Sequence, residues 1–165
     1  EMFDCLKANV RDPHNDDELS DFLLRILKGK ANDGSGLIYG MGHAVYTKSD
    51  PRAVMLKRYA RQLAQDKGYG EDFELLESIE RLTPEVFNTY KGKHHDICAN
   101  VDLYSGLVYR MLGIPTEMYT PLFTIARTAG WCAHRMEEIL SSGKIMRPGY
   151  KCIERERPYT ELTRR

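Results

Sequence analysis

Apolar residues recur at helical spacing along most of this chain, and capping and stop residues divide the pattern into separate helices. Leu19, Phe22, Leu23 and Ile26 share one face between Asn15 and Lys28, with Asn15 and Glu18 placed as a capping box and Gly29 as a stop. Asp50-Pro51 reads as an N-cap followed by proline at the first helical position, and Leu56, Tyr59, Ala60 and Leu63 line a face up to Gly68. Phe73, Leu75, Leu76, Ile79 and Leu82 predict a helix that breaks near Pro84, where Thr83-Pro84 opens a short second one through Val86, Phe87 and Tyr90. Asn100 caps a helix carrying Leu103, Leu107, Val108 and Met111 to Gly113, and Pro115 prevents its continuation. Thr120-Pro121 opens the longest predicted helix, whose stripe is Leu122, Ile125, Ala126, Ala129, Ala133, Met136 and Leu140, up to Gly143.

Between these segments, residues 30–49 hold Gly34, Gly36, Gly40 and Gly42 and show no helical period, so His43 is expected in a glycine-loosened loop. After Gly143 the chain carries Pro148, Pro158 and many charges and is expected to be extended. No strand-like alternation of useful length occurs. The expected class is all-α, without repeats.

Composition narrows the function more than the fold. The 165 residues carry 24 basic and 24 acidic side chains, so no global charge draws the chain to nucleic acid or to a membrane surface. Cys5, Cys98, Cys132 and Cys152 are scattered, with no CxxC pair and no zinc-module spacing, and are expected to be free thiols in a cytoplasmic compartment. No transmembrane run or signal-peptide core is present in the sequence. The first residue, Glu1, is not Met, which suggests a processed product or a fragment.

Several side chains could carry chemistry. His43 follows Gly40-Met41-Gly42, and Arg52 opens the helix just beyond it, a pairing suited to an acid/base group beside an anion site. A loop histidine bonded to the backbone is the plainer alternative. Asp102, in the first turn of its helix, is either a base or a carboxylate stabilised by the helix dipole. Arg127 stands in the apolar stretch Pro121 to Cys132, where burial would demand an anionic partner, either Glu137, Glu138 or another acid, or a ligand. Arg147 precedes Pro148. His94-His95 reads as a polar loop, because adjacent residues rarely ligate one ion; no metal and no cofactor is called for. Tyr104, Tyr109, Tyr119 and Trp131 read as packing residues.

Taken together, six ordered blocks resemble the C-terminal portion of the citrate synthase family. They are Gly40-Met41-Gly42-His43-Ala44-Val45-Tyr46, Asp50-Pro51-Arg52-Ala53, Asn100-Val101-Asp102-Leu103-Tyr104-Ser105-Gly106, Gly113-Ile114-Pro115-Thr116, Phe123 through His134, and Arg147-Pro148. The resemblance implies a small-domain-like helical region over 1–118 and the final helix and tail of a large domain over 119–165. It implies an acyltransferase of the tricarboxylic acid cycle that condenses acetyl-CoA with oxaloacetate to citrate and CoA. Asp102 matches the base that deprotonates the thioester methyl group, and His43 the histidine that binds and protonates the oxaloacetate carbonyl. Arg52, Arg127 and Arg147 match the three arginines that grip carboxylates, the last reaching into the neighbouring subunit of a homodimer. Gly40, Gly42, Lys48 and Lys93 are candidates for contact with CoA.

A thioester methyl is a very weak carbon acid, so a carboxylate base needs a preorganised donor at the enolate oxygen. In the family that donor is a second histidine in a Leu-His-Gly-Gly-like segment, which this sequence does not contain. The isolated chain is therefore expected to form negligible citrate. Close alternatives are 2-methylcitrate synthase, since propionyl-CoA adds one methylene, and a non-catalytic helical module that binds CoA or serves in assembly.

Overall fold

The computed structural model describes residues 1–141 and Glu161. Six helices run in order: α1 Met2–Asn9, α2 Asp16–Leu27, α3 Pro51–Lys67, α4 Gly70–Lys91, α5 Asp102–Met111 and α6 Tyr119–Leu140, with one 3₁₀ turn at Thr116–Met118 before the last. Extended pairing among the described residues is confined to the antiparallel bridge between Met41 and Ala99. The protein is all-α. No helix of the described residues is long and apolar enough to cross a membrane.

The chain divides into two compact units, Glu1–Leu122 and Phe123–Arg165. In the first, α2 packs on α4 and α3 on α5, while α4 also touches α3 and α5. Leu6, Leu19, Leu23, Ile26, Ala60, Ile79 and Tyr104 are almost wholly excluded from solvent. Fully burying one such aliphatic side chain stabilises by about 1.5–3 kcal/mol, so this core is a main source of the first unit's cohesion. Helix α1, which the sequence pattern did not reveal, joins it through Met2 and Leu6. Eight residues are too few to display a periodic stripe, and the Arg110 Nη2 to Asp4 Oδ1 pair at 2.7 Å ties α1 to α5.

Three local expectations are corrected. Glu18 does not complete a capping box with Asn15: Asn15 Oδ1 accepts from the N–H groups of Asp17 and Glu18, while the Glu18 carboxylate accepts from the N–H groups of Arg11 and Asp12. On α3 the buried residues are Ala53, Ala60 and Ala64, and Tyr59 is 58% exposed. Small side chains let α3 lie close to α5, and the bulky ring is turned outward. Helix α4 does not break at Pro84. Proline removes one backbone donor, but Phe73 to Thr83 before it and Val86 and Phe87 after it pack into the same core, and that shared burial outweighs one lost bond. The Thr83 hydroxyl donates to the Ile79 carbonyl at 2.6 Å one turn before the proline.

A half-buried polar cluster joins three of the helices. Lys57 of α3 pairs with Glu77 and Glu80 of α4 at 3.0 and 2.7 Å, and Tyr104 of α5 donates its hydroxyl to Glu80 at 2.5 Å. Burial, followed by this bond to an anion, pushes the Tyr104 phenol far above its ordinary range, so the ring serves as a neutral donor.

The second unit, from Phe123 onward, behaves differently. Helix α6 holds no buried residue, and Ile125, Trp131, Met136, Ile139 and Leu140 are 55–87% exposed. The apolar stripe is helical as expected but exposed among the described residues, and Trp131 is outside the core there. Gly143, Arg147, Pro148, Cys152 and Pro158 lie outside the described residues.

Candidate functional site

The loop that carries His43 is anchored by main-chain pairing. Gly42 N–H donates to the Cys98 carbonyl and Asn100 N–H to the Gly40 carbonyl, both at 2.8 Å, on either side of the Met41–Ala99 bridge. This lays the loop against the start of α5. Gly40 is required for the fit: its φ is +86°, and a Cβ there would stand 2.6 Å from the Leu103 Cα and 2.9 Å from the Leu103 nitrogen.

Within the loop, His43 Nδ1 accepts from the N–H groups of Val45 and Tyr46 at 3.0 and 3.1 Å. An imidazole nitrogen that accepts twice carries no proton, so the ring's proton resides on Nε2. The plainer reading, a loop histidine bonded to backbone, is thus true of one nitrogen, and it leaves the other as an outward donor. The Nε2 atom lies 3.2 Å from Arg52 Nη2, and the Tyr46 ring packs against both groups, 5.0 Å from the imidazole centroid and 5.4 Å from the guanidinium.

Arg52 is held from behind by Asp50. This carboxylate caps α3 through the Arg52 N–H at 3.0 Å, and it accepts from Arg52 Nε at 3.0 Å and Nη2 at 2.8 Å. The Asp50 side chain is sealed from solvent, whereas that of Arg52 remains 47% exposed. The Arg52 guanidinium, through this fork, holds the Asp50 carboxyl down at about 2 against an ordinary 3.8. Arg52 in turn is raised by the same bond, and the charge of Asp102 also acts on it. His43, Arg52 and Asp102 therefore share one neighbourhood.

Asp102 sits exposed in the first turn of α5. Asn100 supports that turn: its Oδ1 accepts from Asp102 N–H at 2.9 Å, and its Nδ2 donates to the Gly42 carbonyl at 2.7 Å. With the proton on Nε2, the imidazole and the Arg52 Nη2 present two donors to the same space. An oxygen of an anionic ligand placed there would accept from both.

Arg127 is exposed on α6, with its guanidinium 4.6 Å from the Phe123 ring centroid, rather than buried against Glu137 or Glu138. Glu138 pairs instead with Arg135 at 2.6 Å. An arginine in an apolar stretch is buried only if the stretch itself is covered. Lys48 and Lys93 are exposed, and Arg147 lies outside the described residues. Cys5, Cys98 and Cys132 are free thiols, and Cys98 donates to the Tyr46 carbonyl at 3.4 Å.

Sequence reasoning named Asp50 and Asn100 only as caps and gave Tyr46 no role of its own. Asp50 does cap α3, whereas Val101 stands at the N-cap of α5 and Asn100 one residue before it, bonding to the Asp102 N–H. A signal existed: each lies two residues before a candidate site residue, Arg52 or Asp102, and such a side chain has further atoms to spend on that neighbour.

Residues 2–149 match the family model described as citrate synthase, C-terminal domain. A citrate synthase of Synechocystis is 49% identical over 111 residues, covering 67% of this chain and 26% of the relative. A citrate/2-methylcitrate synthase of Bacillus subtilis is 41% identical over 112 residues, covering 67% and 28%. The structure of a Thermoplasma acidophilum citrate synthase, in ternary complex with carboxymethyl coenzyme A and oxaloacetate, superposes with a TM-score of 0.66 at 28% identity, covering 99% of this chain and 41% of that one. The chain spans between about a quarter and two fifths of the length of these relatives. A family match over nearly the whole chain, together with a histidine loop clasped to the helix that bears Asp102, leaves one assignment: this chain belongs to the citrate synthase family.

Proposed function

We propose that this chain supplies the oxaloacetate-binding and base groups of a citrate synthase-type acyltransferase centre. The observation that carries the reading is the orientation of His43, whose Nδ1 is occupied by two backbone N–H groups and whose Nε2 faces the Arg52 guanidinium at 3.2 Å. In this reading the Asp102 carboxylate takes a proton from the acetyl-CoA methyl group, and the resulting carbon nucleophile attacks the keto carbon of oxaloacetate. His43 gives its Nε2 proton to the keto oxygen, which becomes the hydroxyl of citryl-CoA, and water then releases citrate and CoA. Arg52 holds a substrate carboxylate, and Arg127 and Arg147 take the remaining carboxylate contacts, Arg147 across a homodimer. Gly40, Gly42, Lys48 and Lys93 border the path for CoA. The region 1–118 corresponds to the small domain and 119–165 to the end of the large one, in a protein of the cytoplasm.

The likeness to the Bacillus subtilis citrate/2-methylcitrate synthase favours a second substrate, propionyl-CoA, since a pocket separates one methylene by only about 1–3 kcal/mol.

Calorimetric titration with oxaloacetate tests the reading. Wild-type chain should bind and Arg52→Ala should not; no binding by the wild type, or equal binding by both, overturns it. With acetyl-CoA and oxaloacetate together, the isolated chain should release negligible free thiol, because no second histidine stabilises the enolate; rapid release would sink that part of the reading.

A further inference from the structure

Among the described residues, the Asn100 side chain makes a hydrogen bond to each half of the candidate site. Its acceptor end takes the N–H of Asp102, and its donor end takes the carbonyl of Gly42, the residue directly before His43. Only a carboxamide has an acceptor and a strong donor side by side; a carboxylate could cap the helix but could not donate, and a hydroxyl is too short to reach both. The main-chain bridge ends at Gly42, where φ of +88° turns the backbone away. Beyond that point His43 bonds to its own loop, through Val45 and Tyr46, and its Nε2 stands beside Arg52 on α3. The Cys98 thiol, donating to the Tyr46 carbonyl, holds the loop to the segment before α5, and the Asn100 carboxamide carries the link on to the first turn of α5 itself.

We propose that Asn100 is a positioning residue that sets His43 relative to Asp102, a role that rests on reading those two as the reacting groups. It makes the first turn of α5 and the histidine loop one body, so that the proton donor and the base keep their separation while substrates enter.

Asn100→Asp separates this role from simple capping. The new side chain keeps an acceptor for Asp102 N–H but turns a carboxylate oxygen toward the Gly42 carbonyl. Amide hydrogen exchange by NMR should show Gly42, Val45 and Tyr46 opening about tenfold more often, with Leu107 to Met111 protected as in the wild type, and oxaloacetate affinity falling about tenfold. Asn100→Ala loses both bonds and should loosen the loop and fray the start of α5 together. Unchanged exchange at the loop in Asn100→Asp overturns the proposal, as does fraying of α5 equal to that in Asn100→Ala, or a loosened loop with unchanged oxaloacetate affinity. If the loop loosens but the wild type binds no oxaloacetate, the mechanical link stands and the oxaloacetate reading falls.

Discussion

Arg52 and Arg127 were expected to grip the same kind of ligand, and the structure gives them opposite surroundings. Arg52 opens a helix whose cap, Asp50, is also its buried counter-ion, so the guanidinium is aimed before any ligand arrives. Arg127 rests on a phenyl ring along a helix with no buried residue. The difference lies in the regions rather than in the residues. In the first unit, α2 to α5 bury one another's apolar faces, and the polar groups left at their ends are bound to each other. In α6 the apolar stripe is as regular but exposed, and the contacts of its charged side chains, such as Arg127 with Phe123 and Arg135 with Glu138, are to neighbours on the same helix. A charged side chain is preorganised only where packing behind it has already been completed.

The largest test of that contrast is Gly40→Ala. The added methyl meets Leu103 backbone at 2.6 Å in a left-handed conformation, and overpacking of this kind costs about 1–3 kcal/mol before strain is counted. Chemical unfolding should show that loss, and oxaloacetate binding should vanish with it; an unchanged midpoint would mean that the loop does not lie against α5.

A smaller effect is expected at acid pH. The Asp50 carboxyl is lowered to about 2 in the folded chain from 3.8, so the folded state binds the proton less readily than the unfolded one. Its contribution is complete above 3.8 and is lost as pH falls from there toward about 2. Stability measured down that range should therefore fall more steeply in the wild type than in Asp50→Asn. Parallel slopes would show that Asp50 does not hold Arg52.

The smallest effect is assigned to α6. Ile139→Ser, at a position 65% exposed, should move the unfolding midpoint by no more than about 0.5 kcal/mol. A loss the size of a core substitution would show that this face is covered in solution, and the contrast between the two regions would fail.

The helices α2, α3 and α5 were legible because capping chemistry and periodicity act over a few residues. Asn15, Asp50-Pro51 and Gly68 work through bonds to their own turns, wherever the helix is finally placed. The family blocks likewise marked out His43, Arg52 and Asp102 as candidates, since a motif is a local string. Pro84 misled because a local rule was outvoted by burial on both sides of it, and α1 was missed because eight residues show too little period. Arg127 misled in the opposite sense: its apolar neighbours implied burial, but burial requires a second surface.

Sequence alone thus determined the all-α class, most helix boundaries, the glycine-rich histidine loop and the family. Tertiary structure decided that Nε2 is the outward nitrogen of His43, that Asp50 aims Arg52, and that Asn100 joins a loop to a helix 58 residues away in sequence. The physical reason is range. Caps and periods are settled between neighbours along the chain, whereas the direction of a proton donor is settled by whichever backbone groups the fold brings to its other side.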